Sequence, residues 1–187
     1  MNIILLGPPG CGKGTQGEML AKRTGLMRVS TGDLLREAAG KGTALGQRAK
    51  SYMDQGQLVP DDVIVGLLEE VLAKPETTGG VLMDGFPRTV AQAQAVDRLL
   101  EARGRTLDWV LFFDVPDEEL LKRIMGRAAA EGRSDDNPEA FRQRLVAYRE
   151  QTQPLVAFYR ARGNLVDIEA VGSISEIAAR VQAKVGM

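Results

Sequence analysis

Five short apolar runs rich in β-forming residues, at 2–6, 27–29, 81–83, 109–115 and 165–168, alternate with stretches whose apolar residues recur at helical spacing. Runs that are apolar on both faces have no side to offer water, so they must lie between layers of helices. The expectation is an α/β fold built on a five-stranded parallel sheet, doubly wound, with ligands gathering at the carboxyl ends of the strands. The chain has 187 residues with 44% hydrophobic and 26% charged content, enough for one domain with its own core and unlike a disordered or fibrous chain.

Punctuation between the runs supports the scheme. Thr89 with Gln92 and Ser173 with Glu176 have capping-box spacing, and Asn137 before Pro138 pairs an N-cap with an N1 proline. The helix from Pro138 aligns Phe141, Leu145 and Tyr148 on one face, and Pro154 is expected to kink or end it. Two segments fit the sheet poorly. Residues 30–60 are too long for one crossover helix and carry Gly40, Gly42, Gly46 and Gly56, which predicts a small helical insertion. Residues 128–136 read as a short polar loop containing Gly132.

Composition excludes several classes. A formal net charge of -1 provides no broad field for nucleic acid or anionic lipid, so no nucleic-acid partner is expected. One cysteine and no histidine rule out a disulfide framework and a Cys/His zinc site, so no zinc is expected and any metal must meet oxygen ligands. The apolar run at 2–6 lacks the charged start and length of a signal peptide, and no stretch approaches membrane-spanning length. The chain is therefore expected to be cytoplasmic, with no membrane partner. No long heptad pattern is present, and a monomer is expected.

The strongest motif follows the first run directly: Gly7-Pro8-Pro9-Gly10-Cys11-Gly12-Lys13-Gly14-Thr15, leading into a helical pattern. That is the setting of a phosphate-binding P-loop. Its glycines let the backbone turn with amides pointing inward, and the helix start adds positive dipole. Lys13 is placed to reach between β and γ phosphates. The position after it is Gly14, with the hydroxyl displaced to Thr15, which leaves a direct hydroxyl–magnesium contact open. Cys11 reads as a small loop residue, since no histidine stands by to activate it.

At the end of the third run comes Asp84-Gly85-Phe86-Pro87-Arg88-Thr89. Asp84 there faces the P-loop across the strand tips and can hold Mg2+ directly or through water; the alternative is a turn cap. Arg36, Arg88, Arg123, Arg127, Arg133 and Arg144 lie where loops leave the scaffold. Arg123 and Arg127, four apart, share a helix face at a cost of a few tenths of a kcal/mol unless anions intervene, on the order of ~0.3 kcal/mol. Planar guanidinium groups are suited to the charge spread over a transferring phosphoryl group.

With these residues assembled, the chain resembles the adenylate kinase family over nearly its whole length, in that family's short-lid form. The resemblance rests on residues 7–16, on Ser30-Thr31-Gly32-Asp33-Leu34-Leu35-Arg36, and on residues 84–89. It implies a P-loop NTPase-like single domain with a core of 1–29, 60–125 and 137–187, an AMP-binding insertion at 30–59 and a lid at 126–136. It also implies reversible Mg-dependent phosphoryl transfer in which ATP and AMP give two ADP. Gly10, Cys11, Gly12, Lys13, Gly14 and Thr15 would hold ATP phosphates. Arg123 would pack on the ATP adenine, and Gly172 would offer that base a backbone contact. Thr31, Arg36, Gln57, Leu58 and Val59 would contact AMP, as would Gly85, Phe86, Pro87 and Arg88. Gln92 would read the adenine edge, a purely capping role being the alternative. Arg127 and Arg133 would contact phosphates, Arg133 and Arg144 would reach the AMP side, and Lys13, Arg88, Arg127, Arg133 and Arg144 would form the catalytic set. Asp135 and Asp136 would hinge or close the lid, whose short form, with Glu131 and Gly132, leaves less material to cover ATP.

Two rivals remain at this point. A kinase for UMP or CMP shares the P-loop, the arginines and a short lid, although Thr31 and the Arg88-Thr89 pair resemble the AMP-preferring pattern. A GTPase switch would carry Asn-Lys-x-Asp and Asp-x-x-Gly, and neither occurs.

Overall fold

The computed structural model describes residues 1–42, 44–55, 57–131 and 137–186, with side chains left aside at 45 and 127–131. Five parallel strands, β1 (Asn2–Leu6), β2 (Met27–Ser30), β3 (Val81–Asp84), β4 (Trp109–Asp114) and β5 (Leu165–Glu169), form one sheet in the order β2-β3-β1-β4-β5. Each matches a sequence run to within a residue. The three central strands are buried almost throughout, as their composition requires. The edge strands β2 and β5 are not apolar-buried on both faces as expected: each has a neighbour on one side only, and Asp167 and Glu169 are exposed.

Strand pleating sorts the core into two layers. Ile4 and Leu6 of β1 point into a cluster with Met83, Val110, Leu68, Leu100 and Tyr159, whereas Ile3 and Leu5 join Leu82, Leu111, Phe113, Leu120 and Ile177 on the opposite face. The first layer is covered by α4 (Asp61–Leu72), α5 (Val90–Glu101) and α8 (Pro154–Ala161). The second is covered by α1 (Lys13–Thr24), α6 (Asp117–Glu131) and α9 (Ile174–Val185).

The helix starts obey the sequence punctuation with one exception. Ser173 and Glu176 make both bonds of a capping box at α9, and Asn137 accepts from the Ala140 amide at 2.8 Å at the start of α7 (Pro138–Ala147). At α5, Thr89 caps the Gln92 amide at 3.1 Å, but the Gln92 side chain accepts from the Arg88 amide instead of that of Thr89. The box expected there is half made.

One further expectation is corrected. Helix α6 continues through residues 128–131, where a loop was expected, because the run Ala128-Ala129-Ala130 has the highest helix propensity available. Residues 132–136 lie outside the described residues. As expected, the helix breaks at Pro154: α7 gives way to a π-helical segment, Tyr148–Thr152, and a turn at Gln153, and Pro154 stands at the first turn of α8. The Gln153 amide reaches back to the Tyr148 carbonyl at 2.8 Å, so the wider turn accommodates the missing donor and the ring.

Between β2 and α4 lie two helices, α2 (Thr31–Gly40) and α3 (Ala44–Asp54), as the glycine-punctuated segment predicts. They pack backbone against backbone: a Cβ on Gly46 would stand 2.1 Å from the Ala38 carbonyl carbon and 2.3 Å from the Ala39 nitrogen. Helix propensity alone would make Gly46→Ala stabilising by about 1 kcal/mol. Overpacking reverses the sign, and thermal unfolding is expected to show a melting temperature lower by roughly 3–10 °C. A higher melting temperature would contradict the close contact.

Candidate functional site

The loop between β1 and α1 is shaped by packing as much as by composition. Gly10 and Gly12 adopt φ of +86° and +96°, the left-handed region open to glycine, and a Cβ at Gly10 would meet the Leu120 carbonyl at 3.0 Å. Gly12 is the N-cap of α1, with no side-chain cap and no acidic residue in the first turn. The first-turn amides therefore face the cavity without a side chain of their own helix to satisfy them. Lys13 Nζ donates to the carbonyls of Gly7 at 2.6 Å and Pro8 at 2.9 Å, and lies 3.4 Å from Cys11 Sγ. Cys11 is buried and does not line the cavity described below; its carbonyl accepts from Arg123 at 3.4 Å.

A cavity of about 790 Å³ opens over the carboxyl ends of the strands, lined by Gly10, Gly12, Lys13, Gly14, Thr15 and Asp84 among others. Register puts Leu5 of β1 beside Asp84 of β3, so the P-loop and the loop after β3 leave adjacent strands at the same height. Asp84 is 7% exposed, and its carboxylate accepts from Arg28 Nη2 at 2.5 Å. Arg28 also pairs with Asp33 at 3.2 Å, and Asp33 in turn pairs with Arg36. A chain of alternating charge thus runs from the end of β3 to the start of α2.

The two inner members of that chain titrate accordingly. Burial alone would lower Arg28, but the charge and hydrogen bond of Asp84, with Asp33 and Glu18, raise it. Burial alone would raise Asp33, but hydrogen bonds from Arg36 and Ser30 and the charges of Arg36 and Arg28 hold it below the ordinary carboxylate range. A depressed carboxylate contributes stability that is present above its unfolded value and is lost as pH falls through the folded one. The β2–α2 junction is therefore acid-labile only below about pH 4.

Among the described residues no group of three or more His, Cys, Asp or Glu side chains could hold a metal ion. An all-protein metal cage is therefore not what Asp84 offers. One buried carboxylate beside Gly14, facing a loop that presents amides, fits an oxygen-loving ion that shares its shell with phosphate oxygens and water, as magnesium does.

A second, narrower slot adjoins the cavity. Leu35, Met53, Leu58, Val59 and Ile64 give it apolar walls, and Gln57 and Gln92 also line it. Where slot and cavity meet, both are lined by Arg36, Arg88 and Arg144, with Gly85. Arg88 Nε donates to the Gly85 carbonyl at 2.8 Å, and the Thr31 hydroxyl donates to the same oxygen at 3.0 Å. Pro87 lines the cavity, whereas Phe86 is 1% exposed in the core and lines neither space.

On the other side, Arg123 donates to Glu119 at 2.8 Å and to the Cys11 carbonyl at 3.4 Å, which sets it beside Gly12. Gly172 lines the cavity with φ of +118°, where a Cβ would stand 2.8 Å from Glu176 Oε2. Arg180 holds that loop by donating to the carbonyls of Glu169 at 2.7 Å and Val171 at 2.5 Å. The π segment turns Tyr148 and Thr152 into the cavity wall, and burial pushes the Tyr148 phenol well above its ordinary value, keeping it a neutral hydroxyl. The side chain of Arg127 and residues Gly132, Arg133, Asp135 and Asp136 lie outside the described residues, as does the side chain of Glu131.

The sequence model of the family described as Adenylate kinase matches residues 5–164. The chain is 50% identical over 185 residues to a protein named adenylate kinase from Thermus thermophilus, covering 99% of this chain and 97% of that one. It is 49% identical over 185 residues to the adenylate kinase of Stenotrophomonas maltophilia, at 99% of both chains, and 48% over 183 residues to that of Phenylobacterium zucineum, at 98% and 96%. The chain belongs to the adenylate kinase family.

It is accordingly an α/β phosphotransferase. Among the described residues no helix is long and apolar enough to cross a membrane. Sequence reasoning missed Arg28, Asp33, Asp61, Glu119 and Tyr148. The available signal for Arg28 was a cation inside a short apolar strand, where charge is costly unless paired.

Arg28→Met keeps the apolar stem and leaves the Asp84 carboxylate, whose side chain is 9% exposed, without its partner. Urea unfolding is expected to show a loss of about 1–3 kcal/mol, largely recovered by adding Asp84→Asn. Equal stability of wild type and Arg28→Met would contradict the pairing.

Proposed function

We propose that the chain catalyses reversible transfer of the γ-phosphoryl group of ATP to AMP, giving two ADP, with Mg2+ required. The observation that carries the reading is the junction of cavity and slot, lined on both sides by Arg36, Arg88 and Arg144. The P-loop supplies the donor's phosphate site, and the apolar slot suits the flat base of the acceptor. Their shared boundary is where an acceptor phosphate would meet a γ-phosphate.

In this reading an AMP phosphate oxygen attacks the γ-phosphorus in line as the bond to the ADP leaving oxygen breaks. No general base is needed, because the attacking oxygen is already anionic. Lys13 exchanges the carbonyls of Gly7 and Pro8 for phosphate oxygens, and the α1 amides hold the donor. Arg36, Arg88 and Arg144, with Arg127 and Arg133, take up charge on the equatorial oxygens and the acceptor. Asp84 would help hold magnesium bound with ATP, which would supply charge neutralisation for the phosphates. Arg123 stacks on the donor adenine and Gly172 meets its edge, while Thr31 and residues 57–59 border the acceptor. Residues 30–59 and 126–136 serve as acceptor-binding insertion and cover, which excludes water as a competing acceptor.

Purified protein is expected to form ADP from ATP and AMP only with Mg2+, and ATP and AMP from ADP. In a panel of AMP, CMP, UMP and GMP, AMP should be the preferred acceptor. Arg88→Lys should fold normally and slow transfer by about a thousandfold, or roughly 4 kcal/mol, because lysine cannot grip two oxygens at once. ADP formation at the wild-type rate by Arg88→Lys would remove Arg88 from the site.

A further inference from the structure

Gln92 is 2% exposed, yet both ends of its side chain are engaged. Oε1 accepts from the Arg88 backbone amide at 2.7 Å, and Nε2 donates to Asp61 Oδ1 at 2.5 Å. The other Asp61 oxygen accepts from the Thr89 hydroxyl at 3.4 Å. Amide oxygen and nitrogen are ordinarily interchangeable by a flip, but these two partners are not. A backbone amide only donates and a carboxylate only accepts, so a flipped Gln92 would set donor against donor and acceptor against acceptor.

The geometry points to Asp61 as a specificity-positioning residue that locks Gln92 in one orientation and thereby makes the acceptor slot select 6-amino over 6-oxo purines. The inference rests on the proposed role of Gln92 at the acceptor base. With one lone pair given to Arg88 and one N–H given to Asp61, Gln92 has one lone pair of Oε1 and one N–H of Nε2 left to offer. That pattern matches the adenine edge, where the 6-amino group donates and N1 accepts. It is mismatched to a 6-oxo purine, whose O6 accepts and whose N1–H donates. Without Asp61, only the Arg88 amide would oppose the flip that serves the 6-oxo edge.

Asp61 itself stands in the first turn of α4, exposed and lining neither the cavity nor the slot. Its effect is carried by Gln92 and not by substrate contact. A hydrophobic slot alone discriminates poorly between such isosteres, whereas buried polar groups left mismatched discriminate strongly.

The test compares AMP with inosine monophosphate, which differs only at position 6 and the N1 proton, as acceptors for Mg-ATP. The ratio of kcat/KM values is taken on one preparation, so the folded fraction cancels. Wild type should favour AMP strongly. Asp61→Asn, which can donate or accept, should lower the ratio by about tenfold or more, through a higher KM for AMP and a gain with inosine monophosphate. Asp61→Glu, still acceptor-only, should retain most of it. Asp62→Asn, which removes a charge from the same helix turn, should leave it unchanged.

Gln92→Ala separates the two ideas. If it collapses the ratio and Asp61→Asn does not, the lock is refuted and Gln92 keeps its role. If the ratio survives in Gln92→Ala, or wild type shows no preference, the role of Gln92 fails and the lock with it.

Discussion

Everything in the site depends on the parallel register of β1 and β3, which sets Leu5 beside Asp84. Parallel strands deliver their carboxyl ends to the same edge of the sheet, so loops from neighbouring strands open into one space. Here one loop presents helix-start amides and the other a carboxylate followed by Gly85 and Arg88. Ile4 and Leu6 of β1 go to one core layer and Ile3 and Leu5 to the other. A slip of one residue would exchange the two faces.

The cations of the site are held by the scaffold and not simply gathered by it. Arg28 sits between Asp84 and Asp33, Arg36 pairs with Asp33, Arg123 pairs with Glu119, and Lys13 rests on loop carbonyls. A guanidinium lining a partly buried cavity costs desolvation unless a partner offsets it. Each pairing keeps a positive group oriented, so a polyanion bound as proposed would replace an existing partner instead of ordering a free side chain. The overall charge of -1 shows why this must be local: the positive potential comes from arrangement, not excess.

Much of this was legible in the sequence because its signals are short-range. Short apolar runs located the five strands, and Ser173, Asn137 and Thr89 marked helix starts through bonds to amides three residues on. The glycines of the P-loop announced their own turn. What was hidden depends on contacts distant in sequence or on competition between local preferences. Asp61 meets Gln92 across 31 positions and Arg28 meets Asp84 across 56, distances at which no spacing rule operates. At residues 128–131 an alanine run outweighed the loop signal of the polar residues beyond it.

The central claim is that one cavity and its adjoining slot hold two nucleotides end to end, phosphates meeting at the arginine-lined junction. Calorimetric titration with a compound of two adenosines joined through five phosphates tests it directly. The account predicts one molecule bound per chain, with affinity far above that of ATP or AMP alone and displacement by either nucleotide. Binding no tighter than ATP, or displacement by ATP but never by AMP, would contradict it.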